Sequence, residues 1–321
     1  MFKKIAAGMI ASVFGVTASM AQDLPTLTMK ESYKVGFAQA ESNGLWRLAE
    51  TESVKSTAAD LGHQLVFTDA AGSAAKQVSD VRSLIAQGVD VILIAPREEK
   101  PLVPAVMAAK RAGIPVILLD RNVDQAVAQA GRDYVTFIGS DFVLQGKRVA
   151  EWLLENHPDG GKILEIEGTV GSSPANDRKT GFDTAIAANS AFEILDSQSG
   201  DFNRDVGRKV VETLLLAHPD ADIIYSHSDE MTMGAISAIE AAGKIPGKDI
   251  MIVGIDAGKE VVEQVAAGKV HYLVESSPKM GPKAFETIDR LAAGEAIEPW
   301  VVLPDDDYGQ GNAAAKLDQA W

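Results

Sequence analysis

Val116-Ile117-Leu118-Leu119-Asp120-Arg121 joins four apolar residues to two opposite charges, with Pro115 before the run and Asn122 after it. A short apolar run bounded by turn residues reads as a strand buried on both faces, the habit of parallel sheets. Burying either charge unpaired is costly, so the pair belongs at the strand's carboxyl end, facing a crevice. Open parallel α/β sheets bind ligands in that crevice.

The same grammar extends in both directions. Upstream, the pattern predicts strands over Tyr33–Gln39, His63–Asp69 and Val89–Pro96, and helices over Trp46–Leu61, Ser73–Ala86 and Pro101–Ala112. Each of these helices stops near a glycine (Gly62, Gly88, Gly113), the residue that best tolerates the left-handed turn after a helix. Another strand, Tyr134–Ser140, is followed by a restart of the pattern. Strands are expected at Lys162–Glu167, Phe192–Ser197, Asp222–Ser226, Ile250–Ile255, His271–Val274 and Trp300–Leu303. The helices between them cover Asp141–Asn156, Ala175–Ala188, Asp205–Ala217, Glu230–Ala242, Val261–Ala267 and Met280–Ala292. Strand–helix alternation specifies parallel sheets with right-handed crossovers. Two successive sheets of similar size imply two α/β lobes. No Pro- or Gly-rich tract separates them, so the junction near Gly139-Ser140 reads as a hinge strand.

Composition narrows the function. The chain has 321 residues, 46% of them hydrophobic, enough for two cores rather than one. A net charge of −15 makes nucleic acid and anionic membrane surfaces poor partners. There is no Cys, which excludes disulfides, thiolate metal sites and a Cys nucleophile. The five His are scattered, with no pair at helical spacing, so no metal site is expected.

The amino terminus reads as an export signal. Lys3 and Lys4 precede a mostly apolar run, Ile5–Val16, and Ser19-Met20-Ala21 has small residues where a signal peptidase cuts. Residues 1–21 are therefore expected to be a cleavable signal peptide that sends the chain to the periplasm. The apolar run is too short to span a membrane, no other segment approaches the length needed, and no Cys follows the cut for lipid attachment.

The strand ends collect a distinctive set of polar residues. They are Gln39 with Glu41 and Ser42, Asp120-Arg121, Ser228-Asp229, Asp256 and Glu275. Trp46-Arg47 opens the first helix, Arg178 stands near the start of another, and Phe202 follows a strand. A sugar hydroxyl both donates and accepts. Carboxylates accept from neighbouring hydroxyls, Arg bridges two oxygens, and an aromatic plate packs on the apolar face of the ring. Mixed Asp and Arg leave a cleft nearly neutral, which suits an uncharged polyol. Other roles compete: Asp229 as a cap for the helix after it, Phe202 and Trp46 as core, Asp177 as a partner for Arg178, and Arg204 and Lys179 as solvated charges. The Gly168–Ser173 loop lacks the Lys of a phosphate loop, and the first strand lacks G-x-G-x-x-G, so no nucleotide cofactor is expected.

Four motifs carry a family resemblance: Gln-Gly-Val-Asp-Val-Ile-Leu-Ile-Ala-Pro (87–96), Ile-Pro-Val-Ile-Leu-Leu-Asp-Arg (114–121), Asp-Glu-Met-Thr-Met-Gly-Ala (229–235) and Gly-Ile-Asp (254–256). In this order the chain resembles the periplasmic sugar-binding proteins of bacterial ABC importers, the ribose- and galactose-binding class. Leu45–Glu50, Glu167–Gly171, Asp177–Lys179 and Ser197–Phe202 look most like its galactofuranose-binding branch.

The resemblance implies the type I periplasmic-binding-protein fold: two Rossmann-like lobes joined by a multi-strand hinge, with residues 33–139 plus 277–302 in one lobe and 140–276 plus 303–321 in the other. It implies a monomer that closes on one monosaccharide and delivers it to an ABC permease in the inner membrane, without catalysis or cofactor. Trp46, Arg47, Asp120 and Arg121 would come from the first lobe, Arg178, Phe202, Ser228 and Asp256 from the second, and Glu275 from near the hinge. Relatives of this class usually carry Asn where this chain has Ser228, and Ser reaches less far, which leaves the exact sugar open. A glycosidase using Asp120 with Asp256 or Glu275 is disfavoured, because Arg neighbours hold carboxylates ionised. A repressor of this fold needs a helix-turn-helix where the signal peptide stands. A sensor feeding a chemoreceptor or histidine kinase stays open beside transport.

Overall fold

A computed structural model of the chain describes residues 24–321. The expected signal peptide lies outside them. The first half runs β1 (Lys34–Gln39), α1 (Leu45–Asp60), β2 (Gln64–Asp69), α2 (Ala74–Ala86), β3 (Val91–Ile94), α3 (Glu99–Arg111), β4 (Val116–Leu119) and β5 (Thr136–Gly139). Next come α4 (Phe142–Asn156), β6 (Gly161–Glu167), α5 (Ser173–Ile186), β7 (Phe192–Ser199), α6 (Arg204–Ala217) and β8 (Ile223–Ser226). The chain continues through α7 (Asp229–Ala241), β9 (Met251–Asp256), α8 (Lys259–Ala266) and β10 (Tyr272–Glu275). It ends with α9 (Gly281–Ala292), β11 (Trp300–Val302), β12 (Asp307–Gly309) and α10 (Ala313–Lys316).

These strands make two six-stranded sheets, ordered β11-β5-β4-β3-β1-β2 and β12-β10-β9-β8-β6-β7. The chain passes between them after β5, after β10 and after β11. Both orders reverse direction beside their first strand, between β1 and β3 and between β6 and β8. The loops there leave toward opposite faces and open a crevice at the strand carboxyl ends.

Alternation along the strands explains the double-sided burial. Val91 and Leu93 pack with Val54 and Phe285 on one face, while Ile92 and Ile94 pack with Leu84 and Leu102 on the other. The second sheet is covered likewise, by α6, α7 and α8 on one face and by α4 and α5 on the other. Helices α4 and α5 touch backbone to backbone. A Cβ on Gly146 would stand 2.0 Å from the Arg178 carbonyl oxygen. That close approach fixes where α5 delivers Arg178.

The structure departs from the sequence reading at the carboxyl end. β12 was not anticipated and pairs antiparallel with β10, so the second sheet is not wholly parallel. Three residues with little apolar alternation carry too weak a signal for a strand. Predicted helix starts at Ser73 and Asp141 shift by one, because both residues serve as N-caps, accepting from Lys76 N and Leu144 N.

Candidate functional site

Between the two sheets lies a cavity with about 450 Å³ of space free of protein atoms, part of it open to solvent. Its walls include Glu41, Trp46, Arg47, Asp120 and Arg121 from one lobe and Arg178, Phe202, Ser228 and Asp256 from the other. The backbone turns sharply where several of these leave their strands. Asp120 has φ +57°, Phe202 +53° and Asp256 +105°, conformations that side-chain-bearing residues adopt at a cost.

On the first lobe the charges form one connected group. Arg47 Nη2 donates to Asp120 Oδ2 at 2.5 Å, and Arg47 Nη1 donates to Glu50 Oε2 at 2.7 Å. Arg121 donates to the Arg97 carbonyl at 3.1 Å and to Glu41 Oε1 at 3.3 Å. Burial opposes the Arg47 charge, but Asp120 and Glu50 outweigh it and hold its pKa above the usual guanidinium value. Arg121 goes the other way, down to about 10, through burial and the neighbouring Arg47.

On the second lobe Arg178 is the centre. Its Nε donates to Gln145 Oε1 at 2.9 Å and its Nη1 to the His227 carbonyl at 2.6 Å. Its Nη2 donates to Ser276 Oγ at 3.1 Å and to Asp256 Oδ1 at 3.3 Å. Burial pushes the Asp256 carboxyl up to about 6, with Arg178 pulling against it. Phe202 lies between the lobes' cations, its ring 5.4 Å from the Arg121 guanidinium and 5.8 Å from that of Arg178. Two buried wall atoms, Arg121 Nε and Ser228 Oγ, have no hydrogen-bond partner among the described residues. Paired charges with spare donors and acceptors suit a neutral polyhydroxylated molecule better than an ion.

The lobes are closed over this cavity. Arg97 bonds Thr169 Oγ1 at 2.9 Å and Asp201 Oδ1 at 2.8 Å, and Asn122 N donates to Ser173 Oγ at 2.8 Å. Leu45 N donates to Glu230 Oε1 at 3.0 Å. Trp46 ties its indole N–H to the Ser276 carbonyl at 2.7 Å, anchoring the first helix to the hinge.

Three expected site residues stand elsewhere. Ser42 is exposed, because the turn after β1 points it to solvent. Glu275 faces the β11–β12 connection and accepts from Asp306 N at 3.1 Å. Asp229 neither enters the cavity nor caps its own helix; it accepts from Ala257 N and Gly258 N in the loop after β9. Lys179 is not simply solvated but pairs with the buried Glu165. Arg204 likewise holds Glu230 and Glu260. Asp177 does not pair with Arg178; it lines a separate hollow with Asp141 and Tyr134, and burial pushes its carboxyl up to about 6. Sequence reasoning missed Arg97. It follows β3 as Arg121 follows β4, so the strand-end rule would have found it.

A two-lobed α/β protein closed over a polar cavity is the class that this fold and site define. The chain belongs to the periplasmic binding protein domain family, which matches residues 35–296. It is 36% identical over 279 residues to the galactofuranose-binding protein YtfQ of Escherichia coli K12, covering 86% of this chain and 87% of that one. Among solved structures, it is similar to a Mycobacterium smegmatis protein in complex with β-D-fucofuranose. The TM-score is 0.85 at 42% identity, over 89% of this chain and 94% of the other. It is also similar to the periplasmic binding component of the arabinose ABC transporter of Shewanella sp. ANA-3, bound to α- and β-L-arabinofuranose. There the TM-score is 0.84 at 38% identity, over 89% and 95% of the two chains.

Proposed function

We propose that this chain is the periplasmic solute-binding component of an ABC importer, that it captures a monosaccharide in its furanose form, and that it hands the sugar to a membrane permease. The observation that carries the reading is the convergence of Asp120-Arg121 and Arg178-Asp256, from different lobes, on one cavity. A sugar hydroxyl satisfies Ser228 Oγ or Arg121 Nε by donating or accepting, and a ring face packs on Phe202 or Trp46. Only the closed form makes both sets of contacts, so ligand shifts the population toward closure.

The furanose assignment draws support from the relatives named above, and Ser228 leaves the choice among furanoses to experiment. Among the described residues no helix is long and apolar enough to cross a membrane. Residues 1–21 serve as the export signal in this reading, and the mature chain works as a monomer.

The test is a thermal-shift and calorimetric panel of L-arabinose, D-galactose, D-fucose and D-ribose, with methyl furanosides and pyranosides as locked forms. Binding by furanosides over pyranosides supports the proposal. Binding confined to pyranosides overturns the ring-form assignment, and no binding by any sugar overturns the proposal. Release of reducing sugar from a glycoside would make the protein an enzyme instead.

A further inference from the structure

Asp256 presents its carboxylate to the cavity from a turn that does not hold itself. Its φ is +105°, the next residue, Ala257, is at +60°, and neither is glycine. Consecutive residues in this region persist only where the surroundings over-determine them. Two side chains outside the cavity do so. The Asp229 carboxylate accepts from Ala257 N at 3.1 Å and from Gly258 N at 2.5 Å, while Asp229 N donates to Asp256 Oδ2 at 3.3 Å. From 65 residues downstream, the Trp321 indole Nε1–H donates to the Asp256 carbonyl at 2.9 Å, sharing that oxygen with Ser276 N, which reaches it at 3.1 Å at the end of the β9–β10 pairing. The Trp321 carbonyl in turn accepts from Lys259 N at 3.0 Å. The ring is pressed against the turn: a Cβ on Gly258 would stand 2.9 Å from its Cη2 and 2.8 Å from Asp229 Oδ2.

We infer that Asp229 and Trp321 are positioning residues for ligand binding, clamping the turn after β9 so that Asp256 meets both Arg178 and the bound sugar. The inference rests on the proposal that Asp256 touches the ligand. Asp229 holds the amides after the turn, and Trp321 together with Ser276 N holds the carbonyl at it. With both ends fixed, the carboxylate is confined to the cavity side, and sugar binding need not order it. Losing the indole N–H leaves the Asp256 carbonyl on Ser276 N alone, so the strained turn beyond it can relax and shift the carboxylate oxygens off their partners.

The experiment compares Trp321→Phe, Asp256→Asn and the double variant in the full chain, by calorimetry with the best furanoside of the panel. Trp321→Phe keeps an aromatic ring and removes the donor. It is expected to weaken binding about fivefold to tenfold, mostly through faster dissociation, as for one lost hydrogen bond to a ligand-contacting group. In the Asp256→Asn background the same change is expected to have no further effect. An equal loss in both backgrounds means packing only and overturns the inference, as does wild-type affinity in Trp321→Phe. Asp256→Asn with unchanged affinity instead removes Asp256 from the site and so overturns the inference by way of the site reading. A sugar-free readout stands beside these. Amide exchange at Ala257 and Gly258 should quicken about tenfold in Trp321→Phe while the centre of β9 stays protected, and unchanged exchange there overturns the clamp whether or not any sugar binds.

Discussion

Arg97 Nη2 stands 2.8 Å from Asp201 Oδ1, joining residues 104 positions apart and the two lobes across the cavity mouth. Arg97 also holds Glu41 through both carboxylate oxygens, at 2.8 and 3.0 Å. The same guanidinium therefore serves the first lobe permanently and the second only when the lobes are closed.

Asp201 is the safer end to alter, since its side chain is 45% exposed while Arg97 is buried. Asp201→Asn removes an ion pair worth up to about 1 kcal/mol, so sugar affinity should fall up to about fivefold, in the dissociation rate. The melting point of the sugar-free protein should stay put. Stopped-flow release and small-angle scattering of the free form check both points, and an unchanged release rate would remove the latch.

Asp120→Ala should abolish sugar binding with the fold retained. Its Oδ2 is engaged by Arg47, and its remaining oxygen is the candidate acceptor for a ligand hydroxyl. Arg178 has four protein partners, so Arg178→Lys is preferred to Ala for the other lobe. A loss of at least about a hundredfold is expected, because a fork that bridges several oxygens is replaced by a point charge. Calorimetry showing wild-type affinity in either variant would dismiss the site.

Ser228→Ala separates binding from stability. Ser228 Oγ is buried without a protein partner among the described residues, so its removal breaks no internal bond. Stability should change by less than about 0.5 kcal/mol, while affinity drops about threefold to tenfold through the lost ligand contact. A large fall in melting temperature would contradict this assignment.

Binding should weaken in mild acid. Burial raises Asp256 to about 6 against the pull of Arg178, and Asp120, Arg47 and the Asp229 carboxyl are the other charged groups facing it. Asp229 is raised as well, by burial and then by the Asp256 charge, so the two titrate as a pair. A hydroxyl donated to Asp256 requires the ionised form. Affinity is then full above about pH 6 and falls toward tenfold per unit below it, with proton release on binding. For stability the sign is opposite. The folded form binds this proton more tightly than the unfolded chain, so the Asp256 contribution is complete below the ordinary value of 3.8 and is lost as pH rises through about 6. Calorimetry in buffers of different ionisation enthalpy reads the release, and Asp256→Asn should flatten the profile.

Glu165 behaves in the reverse sense. Burial opposes its charge, but His227 at 2.9 Å, Lys179 and Ser197 hold it down to about 2. Its stabilising contribution is present above the ordinary value of 4.5 and is lost as pH falls through about 2. Glu165→Gln should cost about 2 kcal/mol at neutral pH by leaving the buried His227 without its carboxylate partner, while Lys179 keeps Asp183. Urea unfolding measures it, and a change under about 1 kcal/mol would mean the network is slack.

Much of this was readable in advance, for identifiable reasons. Strands such as Val116–Leu119 are apolar on both faces, so the double cover of helices was implied before any contact was known. The polar tips of β4 and β9 were conspicuous against that background. Tips attached to weaker signals were misread. Asp229 looked like a cap because it opens a helix, yet its carboxylate serves the loop after β9. Glu275 ended a strand like the others, but beside the antiparallel β12 its carboxylate turns to Asp306 instead.

The amino-acid sequence by itself determined the alternation of strands and helices, the burial of both sheet faces and the chemistry offered at the strand ends. Those properties depend on neighbours a few residues away. Tertiary structure alone decided which carboxylate meets which guanidinium: Glu41 with Arg97, Arg47 with Asp120, Arg178 with Asp256. Such pairings depend on how sheets twist and lobes dock, and no local pattern encodes a distance between residues so far apart in the chain.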